Sequence, residues 1–196
     1  MIRLLKFGLF SLTCLFLFGC AHPIKMTPDL ALIRTDGVSR IDKKVGYHIS
    51  EASKALEVTG PGGGGDKVRY FPYRDFEAGF YMALNEVFTG VTRITDPKDS
   101  VALKKDGLNL LITPEIETMS SSPSLLTWPP TQFAVNLTCR IMDVNGTVVE
   151  TIRISGDGRA EFDEFKGNFS LAATRASNDA LKRLITALSE SKLLRQ

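Results

Sequence analysis

FAVNLTCRIMDVNGTVVETIRIS, residues 133–155, decides the fold. Phe133, Val135, Leu137, Cys139 and Ile141 alternate with Ala134, Asn136, Thr138, Arg140 and Met142. That period of two marks a strand with one apolar face. Asn145-Gly146 is the preferred pair for a tight two-residue hairpin turn, because both turn positions need positive φ. Pairing across the turn sets Cys139 opposite Ile152 and Leu137 opposite Ile154, so the apolar faces of both strands coincide. Cys139 then reads as a small buried hydrophobe rather than a reactive thiol. A sheet with one greasy face must be covered, and helices are the natural cover.

Downstream, Gly156-Asp157-Gly158 is expected to turn the chain, with a short strand at residues 159–162. Glu161, Asp163 and Glu164 cluster without a histidine nearby and read as a solvated turn. Residues 168–191 read as a helix. Its stripe is Ala173, Ala176, Ala180, Leu181, Leu184 and Leu188, rich enough in alanine to approach a sheet closely. Lys192 and Arg195 follow in a C-terminal tail and complement the helix dipole.

Upstream lies SSSPSLLTWPP, residues 120–130. Leu125, Leu126 and Trp128, the only tryptophan, sit between prolines in a serine-rich setting. Such a loop docks on a partner, touches lipid or folds back onto the core. Tryptophan is favoured at interfaces because one side chain buries a large area. Leu125, Leu126 and Trp128 are therefore the candidate partner-binding residues. Residues 108–119 are strand-like, with an edge or a bend at Pro114, which has no N–H to give to a ladder. Residues 98–106 read as a loop or short exposed turn. Residues 75–88 read as a helix capped by Asp75, with Phe76, Phe80, Ala83, Leu84 and Val87 on one face. Shorter strands are expected at residues 45–49, 67–71 and 91–95, and residues 50–58 suit either a helical turn or an extended edge.

Gly60, Gly62 and Gly65 match G-x-G-x-x-G by letter. A dinucleotide fingerprint needs a helix directly after it, and a phosphate loop needs Lys and Ser/Thr. The chain offers Asp66, Lys67 and Val68, and then a strand. The segment reads as a flexible loop between strands.

The N-terminus is the most specific segment. Arg3 and Lys6 precede an apolar run, residues 7–18, too short to span a bilayer. Leu17-Phe18-Gly19-Cys20 follows and resembles a bacterial lipobox. That resemblance implies a signal peptide over residues 1–19 and a diacylglycerol on the Cys20 thiol, with a further acyl chain on its freed amine. Phe18 is larger than the pattern usually holds. Ala21 lacks the acidic character that favours inner-membrane retention, which leans toward the outer membrane. Residues 20–44 then read as lipidated N-terminus and tether, residues 45–191 as one periplasmic domain, and residues 192–196 as the tail.

Arg3 and Lys6 account for the whole formal charge of +2, so the remainder is neutral and offers no electrostatic case for nucleic acid. With Cys20 acylated and Cys14 in the signal, Cys139 has no partner for an internal disulfide. Two histidines, His22 and His48, are too few for a His/Cys metal site. No G-x-S-x-G elbow is present. No catalytic residue, metal or cofactor is expected.

The expected fold is α+β: two helices packed on one face of a mostly antiparallel sheet of about five strands. The lipobox, a central helix, the hairpin and a final helix together resemble ABC-type transport auxiliary lipoproteins and other envelope-assembly lipoproteins. That resemblance implies a non-enzymatic accessory or structural component of a transport or assembly complex, held on the membrane by its lipid and meeting envelope proteins or further copies of itself. The alternative is a small-ligand or lipid-binding module with an apolar pocket between helix and sheet, lined by Phe76, Phe80 and Phe133.

Overall fold

The computed structural model describes residues 21–34 and 37–196. Strands β1 (His22–Pro23), β2 (Ile41–Tyr47), β3 (Val58–Pro61), β4 (Lys67–Tyr70), β5 (Phe88–Arg93), β6 (Leu110–Ser121), β7 (Gln132–Asp143) and β8 (Val148–Arg159) alternate with helices α1 (Glu51–Ala55), α2 (Pro72–Val87), α3 (Ser100–Lys105), α4 (Phe162–Phe165) and α5 (Leu171–Glu190). The main sheet has the order β5-β2-β6-β7-β8, and a small sheet has the order β1-β4-β3. The fold is α+β, with α2 and α5 as its two main helices.

The β7–β8 hairpin has the expected register, with Cys139 opposite Ile152 and Leu137 opposite Ile154. Near the turn the pairing slips, so that Ile141 faces Glu150 while Met142 faces Val148. Asp143 organises this turn: its Oδ1 accepts from the N–H groups of Asn145 at 2.8 Å and Thr147 at 2.9 Å. Gly146 takes φ +88° there but Asn145 does not have positive φ, so the expected two-residue turn is replaced by a three-residue loop, residues 144–146, closed by the Asp143 N–H donating to the Thr147 carbonyl at 2.9 Å. The sheet is mixed: β6, β7 and β8 run antiparallel, whereas β2 lies parallel to both β5 and β6.

Gly156 and Gly158 do not turn the chain. They lie inside β8, on the face that carries α5. A Cβ on Gly156 would fall 2.3 Å from the backbone nitrogen of Ala180, and one on Gly158 would fall 2.0 Å from the carbonyl oxygen of Ala172. Ala172, Ala176 and Ala180 are buried against them. Small residues on both elements let the α5 backbone lie directly on the strand, a use of glycine that a turn signal conceals.

Helix α2 begins three residues before the expected cap. Pro72 occupies the first turn, where its fixed φ fits and its missing N–H leaves nothing unsatisfied. Asp75 is buried and accepts from the Met26 N–H at 3.3 Å through Oδ2. Phe76, Phe80, Ala83, Leu84 and Val87 are fully buried, as are Leu181 and Leu184 of α5. Burying a large apolar side chain contributes about 1.5–3 kcal/mol, so this helix–sheet layer is the main source of stability.

Pro114 marks the point where β6 loses its neighbour. Strand β2 pairs only with Leu110, Leu111 and Ile112. Beyond it the Ile116 N–H is met by the Tyr73 hydroxyl at 3.2 Å, and the Ser120 hydroxyl donates to the Pro61 carbonyl at 2.7 Å. The charged stretch before β6 forms the short helix α3, which buries Leu103 with Ile94, Leu108 and Leu111 in a second, smaller core on the opposite sheet face.

The segment read as a tether is built into the domain. Ile24, Met26 and Ile33 are buried in the main core. Residues 22–23 add a strand beside β4. The Asp29 N–H donates to Asn178 Oδ1 at 2.9 Å, Ser177 Oγ donates to the Met26 carbonyl at 2.7 Å, and Thr174 Oγ1 donates to the Thr27 carbonyl at 3.2 Å. The alternation of Ile24 and Met26 with polar residues is too short to stand out as a strand, and Pro23 and Pro28 obscure it.

Candidate functional site

The first described residues meet the proline-flanked loop at one end of the domain. His22 stacks on Trp128 with ring centroids 4.2 Å apart and planes 18° apart. Phe169, just before α5, packs against Trp128 with ring centroids 4.9 Å apart and planes tilted by 57°. His22 Nε2 also lies 3.5 Å from the Asp66 carboxylate. Trp128 is half-buried and packs against the main core. It is thus largely a structural residue, and the three candidate contact residues divide. Leu125 and Leu126 stand 87% and 96% exposed.

The glycine-rich connection between β3 and β4 explains how the loop is held. The Gly63 N–H donates to the Trp128 carbonyl and the Gly64 N–H to the Ser124 carbonyl, both at 2.8 Å. A Cβ on Gly63 would fall 2.0 Å from the Thr127 carbonyl oxygen. These glycines allow one backbone to lie against another, and no helix follows them to receive a phosphate. Within the loop, Ser124 Oγ accepts from the Leu126 and Thr127 N–H groups at 3.3 and 3.1 Å. The result is a tied turn with two leucines at its tip. Exposed Phe162 borders the groove next to Pro123 and Thr127, and Phe169 is also exposed. The pairing of Gly63 and Gly64 with this loop is a long-range backbone match that leaves no signal in the sequence.

A second feature lies on the sheet face away from α2 and α5. A cleft of about 730 Å³ opens between α3 and the middle of β6 and β7. Lys98, Glu115, Arg140 and Asp143 supply its charges, His48 adds an imidazole, and Leu103, Leu111 and Met142 form its apolar wall. His48 Nδ1 lies 2.9 Å from the Ile94 carbonyl. The expected pocket between helix and sheet is not where Phe76, Phe80 and Phe133 place themselves. All three are core residues, Phe133 packing edge-on against Tyr70 at 5.2 Å.

The remaining candidates resolve into structure. Cys139 is wholly buried, and burial pushes its thiol well above the ordinary range. Glu161 and Glu164 form a reciprocal cap at the start of α4. Glu164 also pairs with Arg175 of α5 at 2.7 Å. That guanidinium, and then the Glu161 backbone, lower the Glu164 carboxyl from 4.5 to about 2. Among the described residues no group of three His, Cys, Asp or Glu side chains is placed to hold a metal ion, and no helix is long and apolar enough to cross a membrane. Cys20 and the signal segment lie outside the described residues.

No family model and no curated protein matches the chain. Solved structures do. A Xanthomonas campestris protein of the DUF330 family superposes with a TM-score of 0.51 at 11% identity, over 90% of this chain and 95% of its own. PelC from Paraburkholderia phytofirmans, a dodecamer, gives 0.48 at 13% identity, over 81% and 96%. A minor lipoprotein from Acinetobacter baumannii gives 0.42 at 10% identity, over 75% and 92%. At these identities the likeness to the Xanthomonas protein is one of fold: an α+β chain of the same architecture.

Proposed function

We propose that this chain is a lipid-anchored, non-enzymatic lipoprotein of the bacterial envelope, acting as an accessory or structural component of a transport or assembly complex. The observation that carries this reading is the run from Leu17 to Cys20, followed within two residues by a chain fixed to the domain. Its contact surface is the end bearing Leu125 and Leu126, close to the start of that fixed segment. The outer membrane, seen from the periplasm, is the proposed location, and the partners are envelope proteins or further copies of the chain. Crosslinking in the native envelope followed by mass spectrometry tests it. Wild type yields a defined partner set that Cys20→Ala does not reach; identical sets for both would overturn the anchored role.

The cleft beside α3 favours a second reading, a small-ligand module. Its mixed wall suits an amphiphilic molecule better than a purely apolar one. Native mass spectrometry of the purified protein decides it. A co-purifying ligand lost on Arg140→Ala supports this reading, and a bare protein mass across preparations dismisses it.

A further inference from the structure

We infer that Leu125 and Leu126 form a membrane-inserting tip, which together with the acylated Cys20 holds the domain flush on the lipid surface in one orientation. This rests on the reading of Cys20 as the anchor and names what the contact surface touches.

The argument is one of reach. Two residues of extended chain span about 7 Å, so an acyl group on Cys20 starts close to His22. His22 is not at the end of a leash: it is paired in the small sheet and stacked on Trp128, and the next residues are bonded to α5. Lipid attached at Cys20 must therefore lie near the Trp128 end of the molecule, and that end presents the two nearly fully exposed leucines.

The chemistry of the tip suits lipid. From Thr118 to Cys139 no residue carries a charge, in a chain where 23% of residues do. Charged side chains are the expensive ones to place in a bilayer. Unmet backbone groups are the other cost of entering hydrocarbon. Here part of that cost is met: the Ser124 and Trp128 carbonyls are satisfied by Gly64 and Gly63, and the Leu126 and Thr127 N–H groups by Ser124 Oγ, while the Leu125 and Leu126 carbonyls at the very tip are left for the headgroup layer. Phe162 and Phe169 flank the tip as partly exposed aromatics, which favour the headgroup boundary. A protein partner fits less well. Two exposed leucines at the tip of one loop are a small part of the roughly 800 Å² that a stable protein interface buries on each side.

Trp128, the only tryptophan, reports on this without a label. The full acylated chain is reconstituted into vesicles of phosphatidylethanolamine and phosphatidylglycerol, with or without bromine on the upper acyl chain. Flotation of the same samples reads anchoring separately. The expected result is that the protein floats, that bromolipid quenches Trp128, and that L125S/L126S floats equally but loses about half of the quenching. The variant's near-ultraviolet circular dichroism should match wild type, since neither leucine is buried. A protein that floats with Trp128 unquenched, or with wild type and variant quenched alike, overturns the inference and leaves the anchor standing. A protein that does not float overturns the anchor, and the inference with it. A photoreactive residue at position 126 that captures protein rather than lipid in native envelopes assigns the tip to a partner or second copy, and also overturns it.

Discussion

Trp128 and the two leucines before it show how differently neighbouring apolar residues behave. Trp128 fills the space between His22, Phe169 and the core. Trp128→Ala should destabilise the domain by about 2–3 kcal/mol, below the full cost for a wholly buried ring, measured as the shift in the denaturant midpoint. L125S/L126S should change stability by no more than about 0.5 kcal/mol. The sequence marks all three as contact candidates, because a tryptophan between prolines says nothing about which way it faces. Only the arrival of His22 and Phe169 from distant positions settles that. Cys139 was legible, because its strand parity alone put it inward. Its thiol should resist alkylation in the native protein and react stoichiometrically once denatured. Glu164 gives a pH test. Its carboxyl is depressed from 4.5 to about 2 by Arg175 and the Glu161 backbone. Its contribution is therefore complete above pH 4.5 and is lost as pH falls toward 2. The Tm difference between wild type and Glu164→Gln should shrink across that window.

Elements were legible where a period ran long. The hairpin register and the α2 and α5 stripes follow from spacing, because each repeats over several turns or residue pairs; the edge at Pro114 follows instead from its missing N–H. The misreadings fall where a residue type serves two purposes. Pro72 opens α2 ahead of the cap read at Asp75, and glycine in β8 makes room for a helix where it was read as bending the chain. The second case is directly testable. Gly156→Ala would set a methyl 2.3 Å from the Ala180 nitrogen, and backbone cannot yield as a flexible side chain does. Overpacking of this kind costs about 1–3 kcal/mol, so the variant should melt clearly below wild type. An Ala substitution at exposed Gly167, where a Cβ meets nothing within 4 Å, serves as the control.

At the scale of the whole molecule, the absence of slack between residue 22 and the domain would convert the anchor proposed at Cys20 into an orientation. A flexible spacer of about ten Gly and Ser residues inserted between Ala21 and His22 would extend the reach by some 15–20 Å on average. It should leave flotation intact and weaken the bromolipid quenching of Trp128. The overall α+β arrangement was foreseeable from the amphipathic elements. The incorporation of residues 22–33 was not, since their partners Ser170, Thr174, Ser177 and Asn178 lie on or beside the last helix. Those bonds span 145 to 151 positions of sequence. The N-terminal segment can therefore find its seat only when almost the entire polypeptide is available, after the hairpin and α5 exist. Until that moment the segment that begins at His22 has no seat, so the processing proposed at Cys20 has an interval in which to act. Completion of folding then closes that interval from the far end of the chain.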